Sequence, residues 1–265
     1  MSLNTSEMFA NENTVNKQRP NYFVAVQVSD PEILARVRKI QHHIVNKNKD
    51  LDDCMISIPT LHITLMVMNI SDSEMHERAL KALQNVYEEQ NDIMCENPLI
   101  LNFCGLGNFG NRVLYAKMKK NDSFKRLHCL AESVRKQFAD LQIFSTDTRN
   151  FNPHLTIAKI NFSRQKQKGF NKIEPSCYKQ FLNYKIGDQR ILGIQLLKMA
   201  GPKSSAGYYM GSTLNFDSKI LSDLKPIVTH VSEKKREIRT KISNILDAKI
   251  NKNISTKNKR TSIVI

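Results

Sequence analysis

Alternation of apolar and polar residues predicts several strands, and two of them share the same polar pair. The segment TLHITLMVMN contains His62 and Thr64, and the segment FNPHLTIAKI contains His154 and Thr156. Successive side chains of a strand point to opposite faces, so each His and the Thr two residues later lie on one face. Each strand therefore presents a polar pair on an otherwise apolar ribbon.

Helical periodicity separates these strands from their neighbours. NYFVAVQV predicts a strand, followed by a helix that begins at Ser29 or Asp30, and a second helix is capped within the stretch 71–74. PLILNFCGLG and RVLYAKM predict two strands joined by a turn at residues 107–111, and a third helix precedes the second His-x-Thr strand. ILGIQLLKMA and GYYMGSTLNF predict two last strands. The two halves are similar in outline, which favours an internal duplication that brings the His-x-Thr strands side by side or face to face.

Composition divides the chain into three regions. Residues 1–19 are polar and rich in Asn, which is typical of a disordered leader, and residues 20–217 hold the globular pattern. Residues 218–265 form a basic tail, with an amphipathic helix predicted at about 226–250 from apolar residues three and four positions apart. Residues 163–172 are a basic loop, which we interpret mainly as solvated and secondarily as a phosphate contact.

The chain is strongly basic, which favours an anionic partner. Its formal net charge is +15 in 265 residues, and 40% of the residues are hydrophobic, enough for a real core. Phosphate substrates, nucleic acid and an acidic membrane surface all fit this charge. From residue 219 onward there are twelve basic and four acidic residues, so much of the charge belongs to the tail.

Cysteine usage and hydropathy indicate a soluble protein of the cytoplasm or nucleus. The five cysteines are scattered and form no Cys-x-x-Cys pair, which favours reduced thiols. No apolar run approaches the roughly 18–20 residues of a membrane span, and the N-terminus has neither a signal peptide nor a lipidation motif. We expect no membrane span and a monomer.

Two histidines paired with threonines fit transfer at a phosphodiester. A base must remove the proton of an adjacent ribose hydroxyl, an acid must protonate the departing oxygen, and imidazoles can divide these roles. The hydroxyls of Thr64 and Thr156 can donate to the non-bridging phosphate oxygens. A lone His beside a Thr is more often a packed strand residue, but two such units in similar strands favour catalysis. Zinc would need three or four clustered ligands, a pattern that the sequence does not show. A Ser-His-Asp or Cys-His triad stays open as an alternative, although the sequence has no Gly-x-Ser-x-Gly elbow. We therefore predict no metal and no cofactor.

The paired motifs and their flanks resemble the 2H phosphoesterases. Within that superfamily they are most similar to the central domain of the A-kinase anchoring proteins of the seven or eighteen type. The similar segments include PNYFVAV, LHITLMVM, GLGNFGNRVLYAKM, FNPHLTIAKI and GYYMGSTLNF, and they run in the family's order from residue 20 to residue 216. The resemblance implies an α+β bilobal fold of the LigT type, in which two pseudo-symmetric antiparallel sheets with flanking helices surround a central cleft.

The resemblance also implies roles for particular residues. His62 and His154 would be the acid and base, in an order that it does not fix, and Thr64 and Thr156 would bind phosphate. Arg149 and Phe151, just before the second motif, would hold phosphate and stack on a base, unless either supports the strand. Family members bind adenosine or cytidine monophosphate, and some hydrolyse 2′,5′-linked oligoadenylate.

Two functions follow as expectations. The first is a metal-independent phosphodiesterase for 2′,5′-linked oligoadenylate, short RNA ends or cyclic nucleotide phosphates. The second is a scaffold that binds AMP or CMP without reaction and anchors the regulatory subunit of protein kinase A through its C-terminal helix. A third interpretation, an RNA-binding protein with a basic surface, would require affinity that falls steeply with salt. The basic cluster that precedes the domain in the anchoring proteins is reduced here to Lys17 and Arg19.

Overall fold

The strands assemble into two antiparallel sheets of four strands each. The computed structural model describes residues 19–160 and 171–216. The chain divides into two units, Met1–Phe216 and Asp217–Ile265, and every described residue lies in the first. The leader, the basic loop up to residue 170 and the tail helix predicted above therefore lie outside the described residues.

The helices and strands in chain order are β1 Tyr22–Gln27, α1 Pro31–Lys47, β2 His62–Met68, α2 Ser73–Glu96, β3 Ile100–Phe109, β4 Val113–Met118, α3 Asp122–Asp140, β5 Leu155–Lys159, β6 Lys185–Arg190, β7 Gly193–Lys198 and β8 Gly211–Asn215.

Each helix begins at a polar side chain that accepts hydrogen bonds from its first turn. Asp30 accepts from the backbone N–H groups of Glu32 and Ile33 and so caps α1. Asp72 caps α2 and Asn121 caps α3 in the same manner. These caps satisfy donors that a helix leaves unpaired at its N-terminus. The predicted starts of the first two helices are thereby confirmed.

The two sheets have matching strand orders. The first sheet runs β2-β1-β7-β8 and the second runs β5-β4-β3-β6. Each His-x-Thr strand thus lies at one edge of its own sheet, and β2 lies against β5. This arrangement confirms the predicted α+β class with two antiparallel sheets and flanking helices.

The helices and both sheets share one hydrophobic core. Helices α2 and α3 pack together, and α1 packs on β6 of the second sheet although it follows β1 of the first. The core contains apolar residues from all three helices and both sheets, including Ile33, Val86, Leu127 and Ile157. Within residues 19–160 and 171–216 no helix is long and apolar enough to cross a membrane.

Two local predictions need correction. Strand β3 continues through Phe109, so Gly107 lies inside the strand and the turn begins only at Gly110. Strand β6 was not predicted as a separate strand, because its sequence KIGDQR lacks the apolar run expected of an interior element. It is an edge strand with exposed Lys185, Asp188 and Arg190, which keeps that edge polar.

Candidate functional site

Both His-x-Thr strands have a bulge at the same position. Thr64 lies opposite Ala25 while Met66 lies opposite Val24, so Leu65 is the extra residue of β2. In the second sheet Thr156 lies opposite Tyr115 while Ala158 lies opposite Leu114, and Ile157 is the extra residue of β5. A bulge bends a strand and changes the direction of the side chains beside it. Each strand therefore bends immediately after its Thr. The extra residue at the bend, Leu65 or Ile157, faces the core.

His62 is held by a backbone carbonyl and two aromatic rings. Its Nδ1 lies 2.7 Å from the carbonyl oxygen of Thr60. The Phe23 ring lies 4.9 Å from the imidazole, and the Tyr209 ring meets it edge-on at 5.5 Å. Because a carbonyl can only accept, Nδ1 carries the proton and donates. In the neutral imidazole, Nε2 is then the free acceptor.

His154 has the same surroundings built from other residues. Its Nδ1 donates to the carbonyl oxygen of Asn152 at 2.8 Å, again the residue two positions earlier. The rings of Phe109 and Tyr115 lie 4.9 Å and 5.4 Å from the imidazole. The two histidines thus have the same tautomer, the same hydrogen bond from Nδ1 to a backbone carbonyl and the same packing against two aromatic rings. Each has Nε2 available for proton transfer.

A glycine permits the aromatic support of His154. Tyr115 stacks on Phe109 at 4.4 Å and lies directly over Gly107, its partner on β3. A Cβ at position 107 would come within 2.6 Å of the Tyr115 ring. A larger residue at this position would displace the ring, which explains the glycine within a strand.

The surroundings lower the pKa of both imidazoles. For His62 the main cause is burial, and the charges that His154 and Lys203 bring nearby act in the same direction. For His154 burial again comes first, followed by Lys159 and Arg149, and the hydrogen bond to Asn152 partly offsets them. The strands β2 and β5 lie against each other, so a charge on His154 acts on His62. Free of ligand at neutral pH, both histidines are neutral.

A cavity of about 610 Å³ opens beside the second motif. Its lining includes His154, Thr156, Phe109, Arg149 and Lys159. Such a volume lies within the range of small-molecule sites. The lining also contains the carboxylate of Asp147, so its two cations leave an excess of one positive charge, which favours an anionic ligand. The first motif does not contribute to this lining, and the ring of Tyr209 lies against His62.

Arg149 is paired within its own loop. Its Nε and Nη2 donate to the two carboxylate oxygens of Asp147 at 2.9 Å and 2.7 Å. This bidentate pair lowers the pKa of Asp147 to about 2. The side chain of Arg149 nonetheless stays 85% exposed and borders the cavity, so the pair orients the guanidinium without removing it from solvent.

Phe151 lies apart from the cavity. Its ring meets the His128 ring edge-on at 5.0 Å and packs against the core. Phe109 is the aromatic residue in the cavity lining. The structure thus brings His154, Thr156 and Arg149 together around the cavity and gives Phe151 a packing contact outside it.

Sequence reasoning missed Lys203 and Tyr209. Both lie in the connection between β7 and β8, where a bridge pairs them, and the Lys203 Nζ lies 3.2 Å from the centre of the Tyr209 ring. This cation lies near enough to His62 to lower its pKa. The only local signal is the Gly-Tyr-Tyr stretch of the last predicted strand. That stretch does not indicate a contact with His62, which lies far earlier in the chain.

Two backbone hydrogen bonds fix the motif strands relative to each other. The N–H of Ile56, shortly before β2, donates to the carbonyl of Ile157 in β5 at 2.9 Å. The N–H of Thr146, shortly before β5, donates to the carbonyl of Val67 in β2 at 3.0 Å. Each motif strand is therefore anchored by the segment that leads into the other.

A bilobal α+β fold with two His-x-Thr strands at adjoining sheet edges defines a 2H phosphoesterase. The chain belongs to that superfamily, in the family whose model is described as the AKAP7 2′5′ RNA ligase-like domain and matches residues 20–214. The resemblance identified from the motifs is confirmed.

One relative and two solved structures illustrate what the chain is similar to. A-kinase anchor protein 7 isoform gamma of Homo sapiens is 31% identical over 192 residues, which cover 72% of this chain and 55% of that protein. The chain therefore spans about half the length of this relative. Escherichia coli LigT complexed with 3′-AMP is 15% identical with a TM-score of 0.45, covering 75% of this chain and 97% of LigT. The protein TT0787 of Thermus thermophilus is 19% identical with a TM-score of 0.49, covering 74% and 95% of the two chains.

Proposed function

We propose that this protein is a 2H phosphodiesterase that cleaves 2′,5′-linked oligoadenylate or a related short RNA or cyclic nucleotide phosphate. His62 and His154 are its general acid and base. The observation that carries the proposal is the matched presentation of the two histidines. Each donates from Nδ1 to a carbonyl two residues earlier and keeps Nε2 for proton transfer.

The reaction follows from this geometry. One neutral imidazole removes the proton from the ribose hydroxyl adjacent to the phosphodiester, and the resulting oxygen attacks phosphorus. The bond to the 5′-oxygen breaks, and the second imidazole, protonated, donates its proton to that departing oxygen. The products are a 2′,3′-cyclic phosphate and a free 5′-hydroxyl. With a 2′,3′-cyclic phosphate as substrate, water replaces the ribose hydroxyl as the nucleophile, and one ribose oxygen of the ring departs and takes the proton. Two imidazoles supply both proton transfers, so the step needs no metal.

Substrate binding creates the protonation state that this step requires. In the free protein both pKa values are lowered, so both imidazoles are neutral near pH 7. A phosphate anion between them favours the charged form of one imidazole and raises its pKa. The acid thus becomes protonated when the substrate is in place.

The threonines and cations stabilise the phosphate. Thr64 lies on the same strand face as His62, and Thr156 lines the cavity together with His154. Their hydroxyls donate to the non-bridging oxygens, which gain charge in the transition state. Arg149 and Lys159 border the cavity and attract the phosphates of the substrate.

An assay in excess EDTA tests the proposal. The full chain is incubated with 2′,5′-linked triadenylate and the products are separated by chromatography. We expect turnover that EDTA does not reduce and that falls at least about a hundredfold in His62→Ala and in His154→Ala, because each removes one proton transfer. The matched control is His42→Ala, an exposed histidine of α1, which should retain full activity.

Two results would contradict the proposed phosphodiesterase activity of these histidines. One is an absence of turnover across a panel of 2′,5′-linked and 2′,3′-cyclic substrates. The other is unchanged turnover in the two motif variants, which would place the chemistry elsewhere.

We also propose an anchoring function for the tail, favoured by the 31% identity to an A-kinase anchor protein. Residues 226–250 would bind the regulatory subunit of protein kinase A through the apolar side of a helix. In a pull-down with the full chain, Ile242→Pro should abolish binding and Lys241→Gln should preserve it. Failure of the unmodified chain to bind would exclude anchoring. In that case the domain would still be free to act as an enzyme or to hold AMP or CMP without reaction.

A further inference from the structure

A second pocket lies on the first sheet, away from the cavity beside His154. Its volume is about 90 Å³, and amide and hydroxyl side chains dominate its lining. The side chains in this lining are those of Gln27, Ser29, Leu192, Gln195, Thr213 and Asn215. The lining carries no formal charge, so the pocket suits a neutral polar group better than a phosphate.

Strand pairing places this pocket beside His62. Gln27 of β1 is the direct cross-strand partner of His62. Two pairs further along, and so on the same face, Thr64, Ala25, Gln195 and Thr213 form a continuous row across β2, β1, β7 and β8. Directly paired residues project from the same face of a sheet, so the pocket and the first motif share one surface.

The pocket is organised by a buried hydrogen-bond chain. The hydroxyl of Tyr208 donates to Oε1 of Gln195 at 2.7 Å, and Nε2 of Gln195 donates to the hydroxyl oxygen of Thr213 at 3.3 Å. Gln195 is only 6% exposed. The Thr213 hydroxyl accepts in this bond and keeps its O–H as a donor for a ligand. A buried and fixed amide of this kind is a preformed recognition group.

The edge of the pocket is apolar. Leu192 contributes to the lining while 55% of its surface stays exposed. An exposed aliphatic side chain beside amides and a hydroxyl matches the two surfaces of a nucleobase, which has flat apolar faces and a polar edge. Asn and Gln amides are the side chains that pair most readily with the polar edge of adenine.

We infer that this pocket binds the base of a second nucleotide, on the His62 side of the scissile phosphate. The inference rests on the proposed function and narrows its substrate class. The cavity beside His154 takes one nucleoside, the pocket at Gln195 takes the other, and the phosphodiester lies between the two histidines. The preferred substrate is accordingly an oligonucleotide of two or more residues, and a cyclic mononucleotide fills only half of the site.

Binding measurements test this inference without requiring turnover. In a His154→Ala background, isothermal titration calorimetry measures the affinity of the full chain for 2′,5′-linked diadenylate, 2′-AMP and 5′-AMP. Thr213→Val keeps the side-chain shape and removes the donor, and Gln27→Met removes an amide. We expect each to weaken diadenylate binding about tenfold, the effect of one lost hydrogen bond, and to leave at least one mononucleotide unchanged. Ser212→Ala, which pairs with core residue Leu196 and points away from the pocket, is the matched control.

The outcomes separate the inference from the proposed function. Unchanged diadenylate affinity in both pocket variants, or diadenylate that binds no more tightly than the mononucleotides, would overturn the inference. If the wild-type chain binds diadenylate through both pockets without cleaving it, the result contradicts the proposed reaction and supports the assignment of the pocket as a base-binding site. If the chain cleaves diadenylate and Thr213→Val leaves kcat/KM unchanged, the result supports the proposed reaction and contradicts the assignment of the pocket as a base-binding site.

Discussion

The side-chain amide of Gln41 donates to the carbonyl of Ile157 at 3.0 Å, across 116 residues of sequence. The same nitrogen donates to the carbonyl of Ile56 at 2.7 Å. Gln41 is only 7% exposed and projects from α1 into the place where the segment before β2 meets β5. One amide therefore holds the bulge residue of the second motif to the segment that leads into the first.

Loss of this amide should destabilise the fold. Gln41→Leu removes both hydrogen bonds. The Ile157 carbonyl keeps the N–H of Ile56, whereas the partly buried Ile56 carbonyl loses this donor, and an unsatisfied group costs about 1–3 kcal/mol. We expect a loss of about 2 kcal/mol or more in the free energy of unfolding, measured by urea denaturation with an unchanged m-value. His42→Leu, on the exposed side of the same helix, should change stability by less than about 0.5 kcal/mol. Equal effects of the two variants would contradict the bracing role.

Substitution of Gly107 should disturb His154 through Tyr115. In Gly107→Ala the new methyl group enters the space of the Tyr115 ring, so the ring and the imidazole edge against it must move. We expect kcat/KM to fall about tenfold, since small errors in the position of a catalytic group are costly. In a Tyr115→Leu background the same substitution should cost little further activity. An additive loss in the double variant would show that the two residues act independently.

The two threonines should contribute through transition-state binding. Thr64→Val and Thr156→Val preserve side-chain shape and remove one donor each, and we expect kcat to fall about 10²- to 10³-fold with little change in KM. Thr146→Val is a control at a threonine that anchors its loop mainly through its backbone N–H. A rise in KM alone would assign the motif threonines to ground-state binding.

The pH dependence of activity should reflect the lowered histidine pKa values. The productive form of the free protein has one neutral and one protonated imidazole, and both pKa values lie below the ordinary 6.5. We expect kcat/KM to be greatest below pH 6.5 and to decline as pH rises. Lys203→Met removes a cation that lowers the pKa of His62, so one limb of the profile should move to higher pH. Which limb moves identifies the role of His62, because a base controls the acidic limb and an acid controls the basic limb. A profile that does not move would place Lys203 outside the site.

Stability should fall with acidification in a defined window. The folded protein holds His62 and His154 at lowered pKa values, whereas the unfolded chain titrates at the ordinary 6.5. The unfolded chain therefore binds more protons just below pH 6.5, and the free energy of unfolding decreases as pH falls toward the folded values. We expect His62→Gln/His154→Gln to show a smaller decrease between pH 6.5 and pH 5 in urea titrations. Identical slopes for the variant and the wild type would contradict the lowered pKa values.

Local sequence determined the elements and the chemistry of the motifs. Alternation identified β2, which holds His62, and β5, which begins one residue after His154, and side chains such as Asp30 and Asp72 fixed the helix starts. These features depend on interactions within a few residues, so a linear pattern contains them. The repeated His-x-Thr unit also sufficed to predict that the two strands come together.

Only the tertiary structure decided how the site is built. The extra residues Leu65 and Ile157 appear only when each strand is paired with its neighbour, and no local pattern distinguishes a bulge from a regular strand. The Tyr115 ring over Gly107 and the Lys203 cation beside His62 join residues from separate elements. Such contacts are set by register and packing, which depend on the whole fold. The sequence alone thus supplied the two His-x-Thr pairs, and sheet pairing placed them, gave each histidine its aromatic support and formed the polar pocket beside the first.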